Sequence, residues 1–312
     1  MHSKKLKKLL ILLSLSAMCA FTACGKKEEE ASSGLSFAEP LPAEESKPAE
    51  EESAPETVEE TESEESREGM YRSELTNEWI DESLKDQRPI AVMVDNESIA
   101  LDHYGLNEAD IVYEMVNSTK NDRVTRLMPI VKDWAQITQF GSIRSARPTN
   151  FLIAWEYNAV LCHDGGPFYI DNYAAMPYSA NFSGGFARFN NGKSREFTEY
   201  ITYDKYSSYD GLKQRFENSK YSTTYNDYNM GPHFTFSNDE FTLDGESGVK
   251  SAKTVELPFP HNSSTLKYNE STGTYDYYEY KKPHIDPVHN NDVLTFTNAI
   301  LYACKLEQYD EN

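Results

Sequence analysis

The apolar pattern changes character along the chain. Leu9–Phe21 is one apolar block, residues 25–68 show almost no apolar pattern, and from about Gly69 short apolar runs recur between turn residues. Ile90-Ala91-Val92-Met93-Val94 is continuous and partly β-branched, which predicts a strand buried on both faces. Asp95-Asn96 ends it as a turn pair. Arg126–Trp134 and Gln136–Ile143 predict two strands around Lys132-Asp133, and Ala159–Cys162 predicts another, stopped by His163-Asp164-Gly165-Gly166. Helices are predicted over Glu74–Leu84, from Asn150 to Trp155, and near Tyr209–Phe216, whereas Ala109–Glu114 fits either type. After His233 the pattern becomes short strands with frequent turns: Phe234–Phe236, Thr254–Leu257, Leu266–Tyr268, Tyr275–Tyr280 and Asp292–Leu301. The expected class is α+β, with a layered, mixed α/β first domain at 86–230 and a β-rich second domain at 231–312.

The N-terminal block explains itself through its flanks. Lys4, Lys5, Lys7 and Lys8 precede an apolar run shorter than the roughly 20 residues a membrane-spanning helix needs. A basic start, a short apolar core and small residues form the pattern of an export signal. Phe21-Thr22-Ala23-Cys24-Gly25 resembles the bacterial lipobox. That resemblance implies lipid on the Cys24 thiol, cleavage just before it and palmitate-like acylation, with two or three chains making a stable anchor. The expected plan is a signal peptide at 1–23, lipidated Cys24 opening a linker at 24–68, and a short connecting segment at 69–85. An ordinary secretory signal with a coincidental cysteine is the alternative. The linker carries sixteen Glu against Lys26, Lys27, Lys47 and Arg67. It cannot bury enough apolar surface to offset chain entropy, so disorder is expected, extended by self-repulsion.

The whole chain has a formal net charge of −21. So acidic a molecule repels polyanions, and nucleic acid is not an expected partner. The expected partners are membrane lipid and an anionic envelope ligand or envelope protein. Of the four cysteines, Cys19 falls in the signal and Cys24 is the lipid site. Cys162 and Cys304 lie in apolar runs and read as two separate buried thiols, with a disulfide between them as the alternative.

The segments Arg88-Pro-Ile-Ala-Val-Met-Val-Asp95-Asn96, Gly105-Leu-Asn-Glu-Ala-Asp110-Ile-Val-Tyr-Glu114, Val124-Thr125-Arg126-Leu127, Ile143-Arg144-Ser145-Ala146-Arg147-Pro148 and His163-Asp-Gly-Gly166 stand in an order that resembles the YerB-like lipoproteins. Gly273-Thr-Tyr-Asp, His284-Ile-Asp286 and Asn298-Ala-Ile are similar to that family's second domain. The resemblance spans about 86–303. It implies a mixed α/β domain, a β-rich domain and a lipid anchor, in a family of unknown function. Two departures stand out. Arg195-Glu-Phe-Thr-Glu-Tyr-Ile-Thr-Tyr replaces a basic Arg…Pro-His-Asn stretch. The family also continues through further strands after the position of Leu301, so the second domain is expected to be incomplete here.

Arg126, Arg144 and Arg147 end apolar runs, where strands deliver side chains to an edge or cleft, and guanidinium forks suit carboxylates and phosphates. With Asp95, Asn96, Glu114, Ser145, His163, Gly165 and Gly166 they form the candidate ligand-binding set, the glycines allowing close backbone approach. Two readings stay open: a cleft for an anionic cell-envelope ligand, or an internal lattice in which Asp95 and Glu114 neutralise the arginines. A third is an envelope enzyme, a hydrolase or glycopolymer phosphotransferase, with Ser145 or Asp95 as nucleophile and His163 as base. Gly141-Ser-Ile-Arg144 resembles the arginine turn of LytR-like phosphotransferases. His284-Ile-Asp286-Pro-Val-His289 reads as a turn connection between prolines, so no metal site is expected. The chain lacks P-loop, Rossmann, CxxC and HExxH patterns, so no cofactor is expected either. The 21 tyrosines are expected to fill half-buried strand faces rather than to stack sugars.

Overall fold

In a computed structural model of the chain, the described residues are 9–14, 67–119, 122–237, 242–243 and 245–304. The expected linker with Cys24, and the residues on either side of Leu9–Ser14 in the expected export signal, lie outside them. The strands run β1 (Leu9–Ser14), β2 (Met70–Arg72), β3 (Trp79–Asp81), β4 (Ile90–Val92), β5 (Val94–Asp95), β6 (Ile111–Val116), β7 (Thr125–Val131), β8 (Phe140–Gly141), β9 (Val160–His163), β10 (Asn181–Ser183), β11 (Ala187–Arg188) and β12 (Glu199–Ile201). They continue as β13 (Thr254–Glu256), β14 (Thr265–Asn269), β15 (Thr274–Glu279), β16 (Lys282–Pro283), β17 (Ile285–Asp286), β18 (Asp292–Val293), β19 (Thr295–Phe296) and β20 (Asn298–Ala303). The helices are α1 (Pro148–Glu156), α2 (Asp171–Ala174) and α3 (Leu212–Glu217).

The central sheet has the order β10-β9-β4-β7-β6-β1-β20, with β5 also paired to β7. It is mixed: β9 runs parallel to β4 and β10, whereas β7 is antiparallel to β4, β5 and β6. β1 lies parallel to both β6 and β20. Among the described residues four smaller sheets accompany it: β11-β12-β8, β13-β14-β15-β16 with β19 on β15, and the two-stranded β17-β18 and β2-β3. All the described residues fall within one compact unit.

The continuous apolar runs follow from burial on both faces. Side chains alternate along a strand, so Ile90, Val92 and Val94 enter one core while Ala91 and Met93 enter the other. The Ala91 side is covered by α1 through Phe151, Ile153 and Ala154. The Ile90 side is covered partly by residues of the β-rich region: Leu257, Phe259, Leu266, Tyr277, Leu294 and Phe296. The two sequence regions therefore share one core.

Several elements differ from expectation, each for a local reason. Glu74–Leu84 is not a helix. Ser73 Oγ accepts from Leu75 N and Thr76 Oγ1 from Glu78 N, and Asn77 takes a φ of 57°, so the segment turns and pairs β2 with β3. Only Glu82–Leu84 coils, as a 3-10 turn. The strand expected over Gln136–Ile143 shrinks to β8, because Trp134 stacks on Phe216 with ring centroids 4.9 Å apart and holds a 3-10 turn at Trp134–Gln136. Phe234–Phe236 forms no strand, its rings packing on each other instead. Asp292–Leu301 breaks into β18, β19 and β20 around fully buried Leu294. Ala109–Glu114 resolves as strand β6. Cys162 is a buried thiol as expected, but Cys304 is exposed, and both are free.

The pairing of the 90–95 run changes partner along its length, which matters for the site. Ile90 and Ala91 pair with Val131 and Ile130, and Val94 and Asp95 pair with Leu127 and Arg126. Between them Val92 faces Pro129, which has no N–H to complete the ladder. Met93, the next residue, turns its backbone to the other side: its N–H goes to the Cys162 carbonyl and its carbonyl receives Arg144 N at 2.9 Å.

Strand parity also fixes Glu114. It lies two residues after Val112 on β6 and faces the core covered by the β-rich region. Its Oε1 accepts from Asn262 Nδ2 at 2.6 Å, Ser264 Oγ at 2.8 Å, Thr125 Oγ1 at 2.9 Å and Asn96 Nδ2 at 3.3 Å. Its Oε2 accepts from Tyr277 Oη at 3.1 Å. Burial nevertheless pushes the carboxyl up to about 7, the hydrogen bonds to Asn262, Ser264 and Thr125 opposing it. The unfolded carboxyl ionises near 4.5. Between those values the unfolded chain has lost a proton that the folded chain keeps, so this contribution to stability is full below about 4.5 and declines as pH rises through about 7. Glu114→Gln is expected to flatten the fall of the urea midpoint between about pH 5 and about pH 8, measured by denaturation at fixed ionic strength; an unchanged pH slope refutes this.

Candidate functional site

Segment 142–146 is held between two strand ends. Asp95 N donates to Ser142 O, Arg144 N to Met93 O, Asp164 N to Arg144 O and Ala146 N to Gly165 O, all at 2.9–3.1 Å. Arg126 enters from β7, directly opposite Asp95. Asp95, Arg126, Arg144, Ser145 and Arg147 thus converge at one end of the central sheet.

The three arginines differ in their partners. Arg144 Nε lies 2.5 Å from Asp95 Oδ2, and its Nη1 lies 3.1 Å from Glu196 Oε2, with the guanidinium over the Phe197 ring. Arg126 Nη1 donates to Ser145 O at 2.6 Å and to Ser145 Oγ at 2.9 Å. Arg147 Nη1 donates to Ala146 O at 2.9 Å and to Ser145 Oγ at 3.2 Å. Among the described residues, neither Arg126 nor Arg147 has a carboxylate within 4 Å. Burial, then the charge of Arg147, lowers Arg126 to about 10. Burial lowers Arg147 as well, with the Arg144 charge adding to the effect. Two guanidiniums are therefore gathered around one serine, each with donors left over.

The other expected members go elsewhere. Glu114 meets no arginine; it belongs with Asn96 to the buried network beneath the β-rich region. The lattice reading therefore fits Asp95 with Arg144 and fails for Glu114. His163 Nδ1 lies 2.8 Å from Gly165 O and Nε2 lies 3.4 Å from Asn181 Oδ1, and its ring packs edge-on against Phe151. Burial lowers its pKa, favouring the neutral ring. Those bonds engage both nitrogens with groups other than Ser145 and Asp95, so the nucleophile and base of the enzymatic reading are not assembled. Gly166 leaves room for the protein itself: a Cβ there would stand 2.3 Å from Ile170 Cδ1 and 2.9 Å from Ala146 O. Gly165, at φ 69°, faces open space.

Residues that sequence reasoning missed include Glu196, which pairs with Arg144. They also include His103 and Glu279, which form a buried group with His284. The connection 283–289 does turn as expected, through a 3-10 turn at Pro287–His289, and Asp286 accepts from Gly105 N and Asn107 N.

With this sheet and arginine cluster in place, residues 75–222 match the model of the DUF3048 N-terminal domain, a protein family of unknown function. The fold is similar to the crystal structure of the YerB protein from Bacillus subtilis, with a TM-score of 0.57 and 18% identity over 72% of each chain. Residues 75–222 thus match a domain of unknown function, and the α+β fold is similar to that of YerB. No curated protein matches the chain at a significant level.

Arg144→Ala strips the 2% exposed Asp95 of its counter-charge. Breaking a fully buried pair costs about 3–5 kcal/mol, and partial exposure of Arg144 brings the expectation down to about 2–3 kcal/mol. A urea midpoint within error of the unsubstituted chain contradicts an internal role for the pair.

Proposed function

We propose that the chain is a lipid-anchored extracytoplasmic protein that binds an anionic envelope ligand, a wall-peptide carboxylate or a glycopolymer phosphate, at Arg126 and Arg147. The observation that carries this reading is the pairing of two guanidiniums on Ser145 with no carboxylate within ion-pair distance among the described residues. In an acidic chain, like charges are gathered where an anion can bridge them, and charge-assisted forks bind such groups most strongly. Arg144, already neutralised by Asp95, acts as the rigid wall of the site. The lipobox-like Phe21-Thr22-Ala23-Cys24 and the Glu-rich linker support the anchor. Cleavage before Cys24 would take β1 out of the sheet, so the mature chain would rearrange where β6 and β20 meet it.

Calorimetric titration of the full chain with glycerol-phosphate oligomers and with a stem-peptide diacid is expected to give saturable, salt-sensitive binding by at least one of them. Arg126→Ala and Arg147→Ala should each weaken it roughly 10- to 100-fold, as expected for loss of a charge-assisted hydrogen bond. Saturable binding of equal strength in both variants, or none in the unsubstituted chain, removes the proposal. For the anchor, Cys24→Ser is expected to move the protein from the membrane fraction to the soluble fraction and to abolish incorporation of labelled palmitate. Continued membrane sedimentation of that variant would sink the lipid assignment.

A further inference from the structure

His103 lies in the link between β5 and β6, Glu279 ends β15, and His284 stands between β16 and β17. Their side chains meet in the interior: His103 is 0% and Glu279 1% exposed, and the His284 side chain is 0% exposed. His284 Nδ1 lies 2.7 Å from Glu279 Oε1, and the two imidazole rings are 4.9 Å apart at 44°. One donor atom from each of the three lies within 4.8 Å of the other two. Among the described residues neither nitrogen of His103 has a partner in good hydrogen-bond geometry, the Asp95 backbone lying close enough to favour its charged form. The loop is held there independently, since Asp286 caps Gly105 N and Asn107 N and Lys193 Nζ binds the Ala100 and Leu101 carbonyls.

A fully buried imidazole without a hydrogen-bond partner is costly, and in native proteins it calls for an explanation. Two imidazoles and one carboxylate facing one point form a donor set that suits a first-row divalent ion, zinc above all. We propose that His103, Glu279 and His284 bind a structural divalent metal ion that ties the β5–β6 link to the β15–β17 hairpin. Movements of about 1 Å or less bring such donors to zinc at about 2.0–2.2 Å. The neighbouring Asp95 carbonyl or a water completes a tetrahedral shell. Burial closes the site to substrate, so its role is to hold the two sequence regions together. It lies apart from the arginine pair and does not depend on the ligand proposed there.

The probe is zinc itself, added to the full chain carrying Cys24→Ser and Cys304→Ser so that accessible thiols do not compete. One equivalent is expected to survive dialysis, and its removal by a chelator should lower the thermal midpoint by several degrees. Glu279→Gln and His103→Gln should each weaken zinc binding at least tenfold, while Arg147→Ala leaves it unchanged. Absence of stoichiometric zinc in the starting chain, or equal retention in both site variants, overturns the assignment and leaves a hydrogen-bonded histidine–carboxylate cluster. If the variants do not fold, cobalt loaded into the unsubstituted site decides. Intense visible bands of a four-coordinate nitrogen–oxygen site support the proposal, and a spectrum of hydrated cobalt refutes it.

Discussion

The structure depends on satisfying one carboxyl group. Glu114 occupies a strand whose neighbours in sequence are apolar and whose two faces are both covered. Such a group is tolerable in the interior only if its oxygens are met by donors. Thr125 and Asn96 supply two from the first region; Asn262, Ser264 and Tyr277 supply the rest from the β-rich region. Docking of one region onto the other thus has a polar lock as well as an apolar surface. That explains why the two regions share a core.

A second constraint runs from Met93 to the arginines. Its backbone groups face away from β7: its N–H goes to the Cys162 carbonyl, and its carbonyl fixes Arg144 N, and with it the segment carrying Ser145 and Arg147. Asp95 opposite Arg126 completes the arrangement.

How much of this was legible follows from which forces were local. β4, β7 and β9 were readable because two-sided burial writes uninterrupted apolar runs. Asp95, Arg126, Arg144, Ser145 and Arg147 were readable as a group because each ends such a run or follows one, and strand ends meet at sheet edges. Glu114 was assigned to the wrong company because its type and position looked right, while its face was decided by parity and by residues far along the chain. Glu74–Leu84 misled because the hydroxyls of Ser73 and Thr76 outcompete helical hydrogen bonds over so short a stretch. His103 and Glu279 carried no signal: they are isolated in sequence and become neighbours only through the packing of the hairpin.

Three of the five donors that cap Glu114 lie 148 to 163 residues after it. A nascent chain made from its N-terminus has completed β6 long before Asn262, Ser264 and Tyr277 emerge. Until then that acidic side chain has only part of its partners, so the first region is held back from its final packing while translation continues.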